Sequence, residues 1–322
     1  KNSGRCWIFA FLNLLRLDMI KKYNLEDNFE LSQNYLFFWD KLEKSNFFLH
    51  NILSTKKYDL DSRLVQHFLS EPVSDGGQWN MLVNLVNKYG LIPKKCMNET
   101  FSSSNTQDLD FVLNTKLRNI SHEIRNKKIT NKDMKKYLQE IYELLVMFLG
   151  EPPENINWEY YSVKKENKKY NIVSNITPLV FYKKYVPFNI NDMVCLVNAP
   201  CKSKPFYNLF DLKYFGNIVE GKKSNFINIP IEEMIKISAK SLDDNNALWF
   251  GCDVDKYLDE KKGILDTKYF KYEDIFSNIN NLNKCERLEY GVSRITHAML
   301  IKGYNNISNK KKLNINQWLV EN

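Results

Sequence analysis

The stretch NSGRCWIFAFLNLLRLDMIKKY, residues 2–23, sets a lone cysteine between an arginine and a tryptophan, then turns apolar at once. Beyond Cys6, the residues Ile8, Leu12, Leu15 and Met19 recur at helical spacing, and Trp7, Phe11 and Leu14 fill the adjacent stripe. A helix that is apolar on most sides must be covered on most sides. The pattern therefore predicts a central, buried helix with Cys6 at its N-terminus. A thiol there faces backbone N–H groups that have no helical partner, and the positive end of the helix dipole. Both favour thiolate and lower a free thiol pKa of about 8.5 by one to several units. Position alone does not distinguish a nucleophile from an inert core thiol, because a nucleophile also needs a base. Arg5, next to Cys6, either supports the thiolate or is simply solvated.

Further along the chain, Ser32 reads as the N-cap of a second helix carrying Tyr35, Leu36, Trp39 and Leu42. Asp75-Gly76-Gly77 is a turn signal. After it, Met81, Leu82, Leu85 and Val86 mark a further amphipathic helix, stopped by Gly90 and Pro93. Residues 105–150 read as a helical hairpin. One stripe is Leu109, Val112, Leu113, Leu117, Ile120 and Ile124; the other is Met134, Leu138, Ile141, Leu145 and Phe148. Thr130 with Asp133 starts the second helix, and Gly150 before Pro152-Pro153 ends it. From about residue 171 the period changes. LVFYKKY, MVCLVNAP and YFGNIV read as strands, and a helix over Ile231 to Ser241 leads to the strand ALWFGCDV. HAMLIKGY and NQWLVEN close the chain as strands joined by the polar loop 305–316. A helix-rich first part and a mixed later part predict an α+β fold.

The chain holds four histidines, so each carries information. His50, His67 and His122 fall on predicted helices and read as structural or solvated. His297 opens the strand HAMLIKGY, where an imidazole could serve a distant thiol. Asn322, at the end of WLVEN, would lie next to His297 if the last two strands pair. Its amide could then fix the imidazole tautomer and complete a Cys-His-Asn triad. Cys96, Cys195, Cys201, Cys252 and Cys285 lack such a context and read as core or surface thiols. No CxxC pair or Cys/His run has zinc spacing, so neither a metal site nor a cofactor is expected.

Taken in order, SGRCW before a buried helix, DGGQW, WFGCDV, THAM and WLVEN resemble the bleomycin hydrolase and aminopeptidase C family, the intracellular papain-like cysteine peptidases. The resemblance runs over the whole chain. It implies a papain-like α+β fold: a helical half over 1–104, a partly helical insertion over 105–230 and a β-rich half over 231–322. It makes Cys6 the nucleophile, His297 the general base and then acid, and Asn322 the orienting amide. Gly76 and Gly77 would border the cleft and pair their backbone with the substrate's main chain, where a missing Cβ allows close approach. Secreted papain-like enzymes carry a disulfide at positions that are Ser3 and Ser74 here, and loss of both halves implies a reducing compartment, the cytoplasm. The resemblance further implies peptide and small amide substrates, a homohexamer, and a C-terminal arm that restricts cleavage to the substrate's N-terminus. The oxyanion-stabilising Gln and the Ser-Trp-Gly after the triad Asn would fall just outside residues 1–322, so the chain reads as part of a longer protein.

The bulk numbers fit this reading. With 322 residues, 43% hydrophobic and 14% aromatic, the chain can bury a substantial core and is not disordered. No run of eighteen apolar residues is present, so no membrane span is expected. The net charge of +8 comes from lysine-rich loops such as 310–312, and asparagine is abundant at 40 residues. Aromatics do not interleave with the basic runs, which gives nucleic-acid binding only weak support. Two rival readings follow: an ordinary papain-type endopeptidase, or a non-catalytic basic scaffold that binds nucleic acid.

Overall fold

The computed structural model describes residues 3–164, 167–277, 279, 281–307 and 313–321. Helix α1 spans Cys6–Tyr23. Its residues Trp7, Ile8, Phe11, Leu12, Leu15 and Met19 are all at most 1% exposed, as the two apolar stripes require. Burying each such side chain contributes about 1.5–3 kcal/mol. Helix α2 spans Gln33–Ser54, and Ser32 caps it by accepting the Tyr35 N–H at 3.2 Å. Next come α3 (Arg63–Ser70), α4 (Trp79–Tyr89), α5 (Phe101–Ser104), α6 (Gln107–Asn126) and α7 (Asn131–Leu149). α2 lies at the centre of this group and packs against α1, α3, α4, α6 and α7. Phe11 of α1 meets Trp79 of α4 edge to face at 5.3 Å.

The hairpin of α6 and α7 forms where the apolar spacing places it, and Thr130 and Asp133 make the capping box that starts α7. Leu109, Leu113, Leu117, Ile120 and Ile124 are buried, while Val112 is exposed. On α7 the buried face is Met134, Tyr137, Ile141, Leu144, Leu145 and Leu149, rotated from the expected stripe, with Leu138 and Phe148 half-buried at its edges. Strands β1 (Ile156–Lys164) and β2 (Asn167–Ile176) form an antiparallel hairpin, followed by α8 (Pro178–Tyr185). Trp158 fixes the hairpin: it is 1% exposed, stacks on Tyr160 at 4.2 Å, and meets Tyr23 and Phe181 edge to face.

By its internal contacts the chain forms two units, the first comprising residues through Met193 together with Leu212–Ser224. The second comprises Val194–Asp211 and the residues from Asn225 onward. It contains β3 (Leu196–Val197), β4 (Leu209–Asp211), β5 (Asn225–Asn228), α9 (Ile231–Asp243), β6 (Leu248–Cys252), β7 (Leu258–Asp259), β8 (Ile264–Leu265), α10 (Lys284–Glu289), β9 (His297–Asn306) and β10 (Ile315–Glu321). The main sheet is antiparallel, in the order β10-β9-β6. Helices dominate the first unit and sheets the second, which is the α+β arrangement read from the sequence.

Three local expectations are corrected. LVFYKKY is not a strand but most of α8, because Thr177 accepts the Val180 N–H and Pro178 occupies the first helical turn. Of MVCLVNAP only Leu196–Val197 pairs, and YFGNIV is turn and coil. The first strands are instead those of the β1–β2 hairpin, which begins at Ile156 and ends at Ile176. Among the described residues no helix is long and apolar enough to cross a membrane.

Candidate active site

Cys6 is the first residue of α1, half-buried, at the end where the first-turn N–H groups and the dipole favour an anion. Arg5 before it is neither solvated nor available to the thiol. It is fully buried, and its two terminal nitrogens donate to both carboxylate oxygens of Glu99, at 3.1 and 2.6 Å. Its Nε donates to Ser3 Oγ at 3.2 Å, and its guanidinium lies 5.2 Å from the centroids of Phe9 and Phe37. Arg5 thus braces the turn that presents Cys6, with its charge spent on Glu99.

The loop 74–77 is held against this helix start by a buried polar web. Trp7 Nε1 donates to Asp75 O at 2.7 Å, and Gly4 N donates to Asp75 Oδ2 at 2.9 Å. Thr106 Oγ1 donates to the same carboxylate oxygen at 2.6 Å. Lys44 Nζ donates to Ser74 O at 3.1 Å and Gly76 O at 2.6 Å, and pairs with Asp40 at 2.6 Å. Lys41, with no exposed surface, sits between Asp75 (2.6 Å) and Asp110 (2.5 Å). A Cβ on Gly77 would lie 2.6–2.7 Å from three carbons of the Trp7 ring, whereas one on Gly76 would meet nothing within 4 Å. Gly77 is therefore required by packing, whereas the Cβ side of exposed Gly76 is open while Lys44 holds its carbonyl. The fold brings Cys6, through Trp7, together with Gly76 and Gly77 in one unit.

This web divides its charges unequally. Burial alone would raise the Asp75 carboxyl, but Lys41, Thr106 and the Gly4 N–H hold it well below the usual carboxylate range. Asp110 has fewer donors; burial and the neighbouring Asp75 push it up to about 6 against the pull of Lys41. Burial likewise raises Asp40, opposed by Lys44 and Lys41. Lys41 is raised: burial works against its charge, and the two carboxylates outweigh that cost. Sequence reasoning missed Lys41, Lys44 and Asp40. Their partners Asp75, Asp110 and the carbonyls of Ser74 and Gly76 come from distant segments, so no local pattern marks them.

In the second unit His297 opens β9, half-buried and opposite Cys252 of β6. Thr296 fixes the strand entry: its N–H donates to Cys252 O at 3.0 Å, and its Oγ1 accepts from Val254 N at 3.0 Å. β10 pairs antiparallel with β9, and Glu321 faces Leu300. Asn322 lies outside the described residues. His50, His67 and His122 are all exposed. No disulfide joins any of the six cysteines. Burial pushes the thiols of Cys195 and Cys252 up to about 11 and also raises Cys96. Such thiols are poor nucleophiles at neutral pH.

A helical unit that presents a cysteine at a helix start, joined to an antiparallel β unit, is the α+β build of a papain-like cysteine peptidase. Residues 1–322 match the model of the Peptidase C1-like family. The chain is 43% identical over 326 residues to an aminopeptidase C of Listeria innocua, and 42% identical over 334 residues to a bleomycin hydrolase of Gallus gallus. In both comparisons 100% of this chain aligns with 72% of the relative. The crystal structure of PepW from Lactobacillus rhamnosis HN001 superposes with a TM-score of 0.94 at 41% identity, over 100% of this chain and 72% of that one. The chain belongs to the Peptidase C1-like family, and it is a cysteine-type peptidase.

Proposed function

We propose that the chain is a cysteine aminopeptidase of bleomycin hydrolase type, with Cys6 as nucleophile, His297 as general base and acid, and Asn322 as the amide that orients the imidazole. The Cys6 thiolate attacks the carbonyl carbon of the substrate's first amide bond. The carbon–sulfur bond forms, the carbon–nitrogen bond breaks, and protonated His297 gives its proton to the leaving amine. Water, deprotonated by the now neutral imidazole, then hydrolyses the thioester, which releases the acid and restores the Cys6 thiolate beside protonated His297. Gly76 and Gly77 align the substrate's main chain beside this centre.

The observation that carries the proposal is Cys6 as the first residue of a buried helix, its neighbour Trp7 seated on Gly77 and bonded to Asp75. Short peptides and small amides are the substrates, and the enzyme works as a cytoplasmic homohexamer; the names of the relatives and the resemblance of the motifs support this reading. In the full-length protein, Cys6→Ala abolishes hydrolysis of an aminoacyl amide with a free amine, and blocking that amine stops turnover by the parent enzyme. Internal cleavage of blocked peptides at comparable rates would replace this reading with the endopeptidase one. Sedimentation at the mass of a monomer would remove the hexamer.

A further inference from the structure

The second unit gathers three groups that the proposed reaction does not use. Cys201, Cys285 and Glu289 place their sulfur and carboxylate atoms within 4.8 Å of one another. Cys201 and Cys285 are 84 residues apart, so no spacing in the sequence marks the trio. Cys201 is 4% exposed and sits in a tight turn, its N–H donating to Ala199 O and its carbonyl accepting from Lys204 N, both at 2.8 Å. The fully buried Asn228 knits that turn to β5: its amide donates to Ala199 O (2.9 Å) and Lys204 O (2.6 Å) and accepts from Ala199 N (2.9 Å). Cys285 and Glu289 stand four apart on α10, on one face of the helix. An Asn283–Glu286 capping box fixes the start of α10, and Lys284 Nζ ties it to Asn198 at 2.7 Å.

We propose that Cys201, Cys285 and Glu289 form a binding site for a thiophilic divalent cation of the zinc class, which staples α10 to the 199–204 turn. Tetrahedral zinc with sulfur ligands at about 2.3 Å and oxygen at about 2.0–2.2 Å needs ligand atoms about 3.4–3.8 Å apart. The three atoms, all within 4.8 Å of one another, already lie close to that spacing. Two thiolates and a carboxylate fill three positions, and the exposed side of Glu289 leaves the fourth to water. Lys284 and Arg287 on the same helix offset the net negative charge of such a centre. Both thiols have to lose their protons to bind the cation, so affinity rises with pH.

The test uses the Cys6→Ala protein, so that the proposed nucleophile cannot contribute a ligand. Cobalt(II) titration gives one equivalent bound with thiolate-to-cobalt charge-transfer absorption, displaced by zinc, and zinc protects two of the five remaining thiols from a thiol reagent. Cys201→Ser and Cys285→Ser each abolish that absorption, Glu289→Gln weakens binding by about tenfold or more, and Cys96→Ser leaves it unchanged. Urea midpoints of the metal-free variants, equal to that of the metal-free parent, show that loss of binding is not loss of fold. Charge-transfer absorption that survives both serine substitutions overturns the proposal, as does its absence from the parent. Oxidation of the pair to a disulfide in place of metal uptake also overturns it.

Discussion

Gly76 and Gly77 are neighbours with opposite demands, and alanine at each position separates packing from chemistry. At Gly77 the new methyl would lie 2.6–2.7 Å from the Cη2, Cζ2 and Cζ3 atoms of Trp7. The ring cannot swing aside. It is 1% exposed, its Nε1 is bonded to Asp75 O at 2.7 Å, and Lys44 Nζ lies 5.1 Å from its centroid. The loop must therefore move by about 1 Å or the indole must be displaced, and overpacking of this kind costs about 1–3 kcal/mol. In a unit of about 150–250 residues each kcal/mol lowers the melting temperature by about 2–4 °C, so Gly77→Ala should melt about 2–12 °C lower. At Gly76 a methyl meets nothing within 4 Å, and the residue is exposed. Gly76→Ala should then change stability by less than about 0.5 kcal/mol. If its backbone borders the substrate, kcat/KM on an aminoacyl amide should still fall at least tenfold. Calorimetry and steady-state kinetics on both variants decide. Equal melting temperatures for Gly77→Ala and the parent would refute the packing argument, and full activity in Gly76→Ala would refute the role in substrate alignment.

Further outcomes follow from the same web. Lys44→Met strands buried Asp40 and frees the carbonyls of Ser74 and Gly76, so urea unfolding should show a loss of about 3–5 kcal/mol. Asp110, raised from 3.8 to about 6, takes up its proton in the folded state before the unfolded one does. Its contribution to stability therefore grows as pH falls from about 6 to about 4, and Asp110→Asn should flatten that part of the profile. Asp75, held low, acts oppositely: its contribution is present above its ordinary 3.8 and is lost as pH falls through its lower folded value. In iodoacetamide mapping at pH 6, Cys6 should react far faster than Cys195, Cys252 and Cys285, whose values of about 11, 11 and 12 leave almost no thiolate. Equal rates would remove the thiolate argument.

Much of this was legible in the chain because the relevant signals are local. α1 announces itself by an apolar surface with no polar face, and Ser32 and Thr130 by hydroxyls that reach the N–H group three residues on. LVFYKKY misled because its β-branched and aromatic residues suit a strand, while Thr177-Pro178, a helix-start signal, decided the outcome. The β1–β2 hairpin carried an unread alternation, with Ile156 and Trp158 buried and Asn157, Glu159 and Tyr161 exposed. The buried charges of α2 are harder to read. A lysine is buried only if carboxylates wait for it, and Asp75 and Asp110 come from distant segments. The approach of Cys201 to Cys285 has no local signature at all.

In the proposed reaction Cys6 carries the acyl group. The full-length enzyme, quenched in acid during turnover of an aminoacyl ester and mapped by peptide mass spectrometry, tests this directly. An aminoacyl thioester is expected on the peptide containing Cys6, absent from Cys6→Ala and from every other cysteine. An adduct on another residue, or turnover retained by Cys6→Ala, would contradict it.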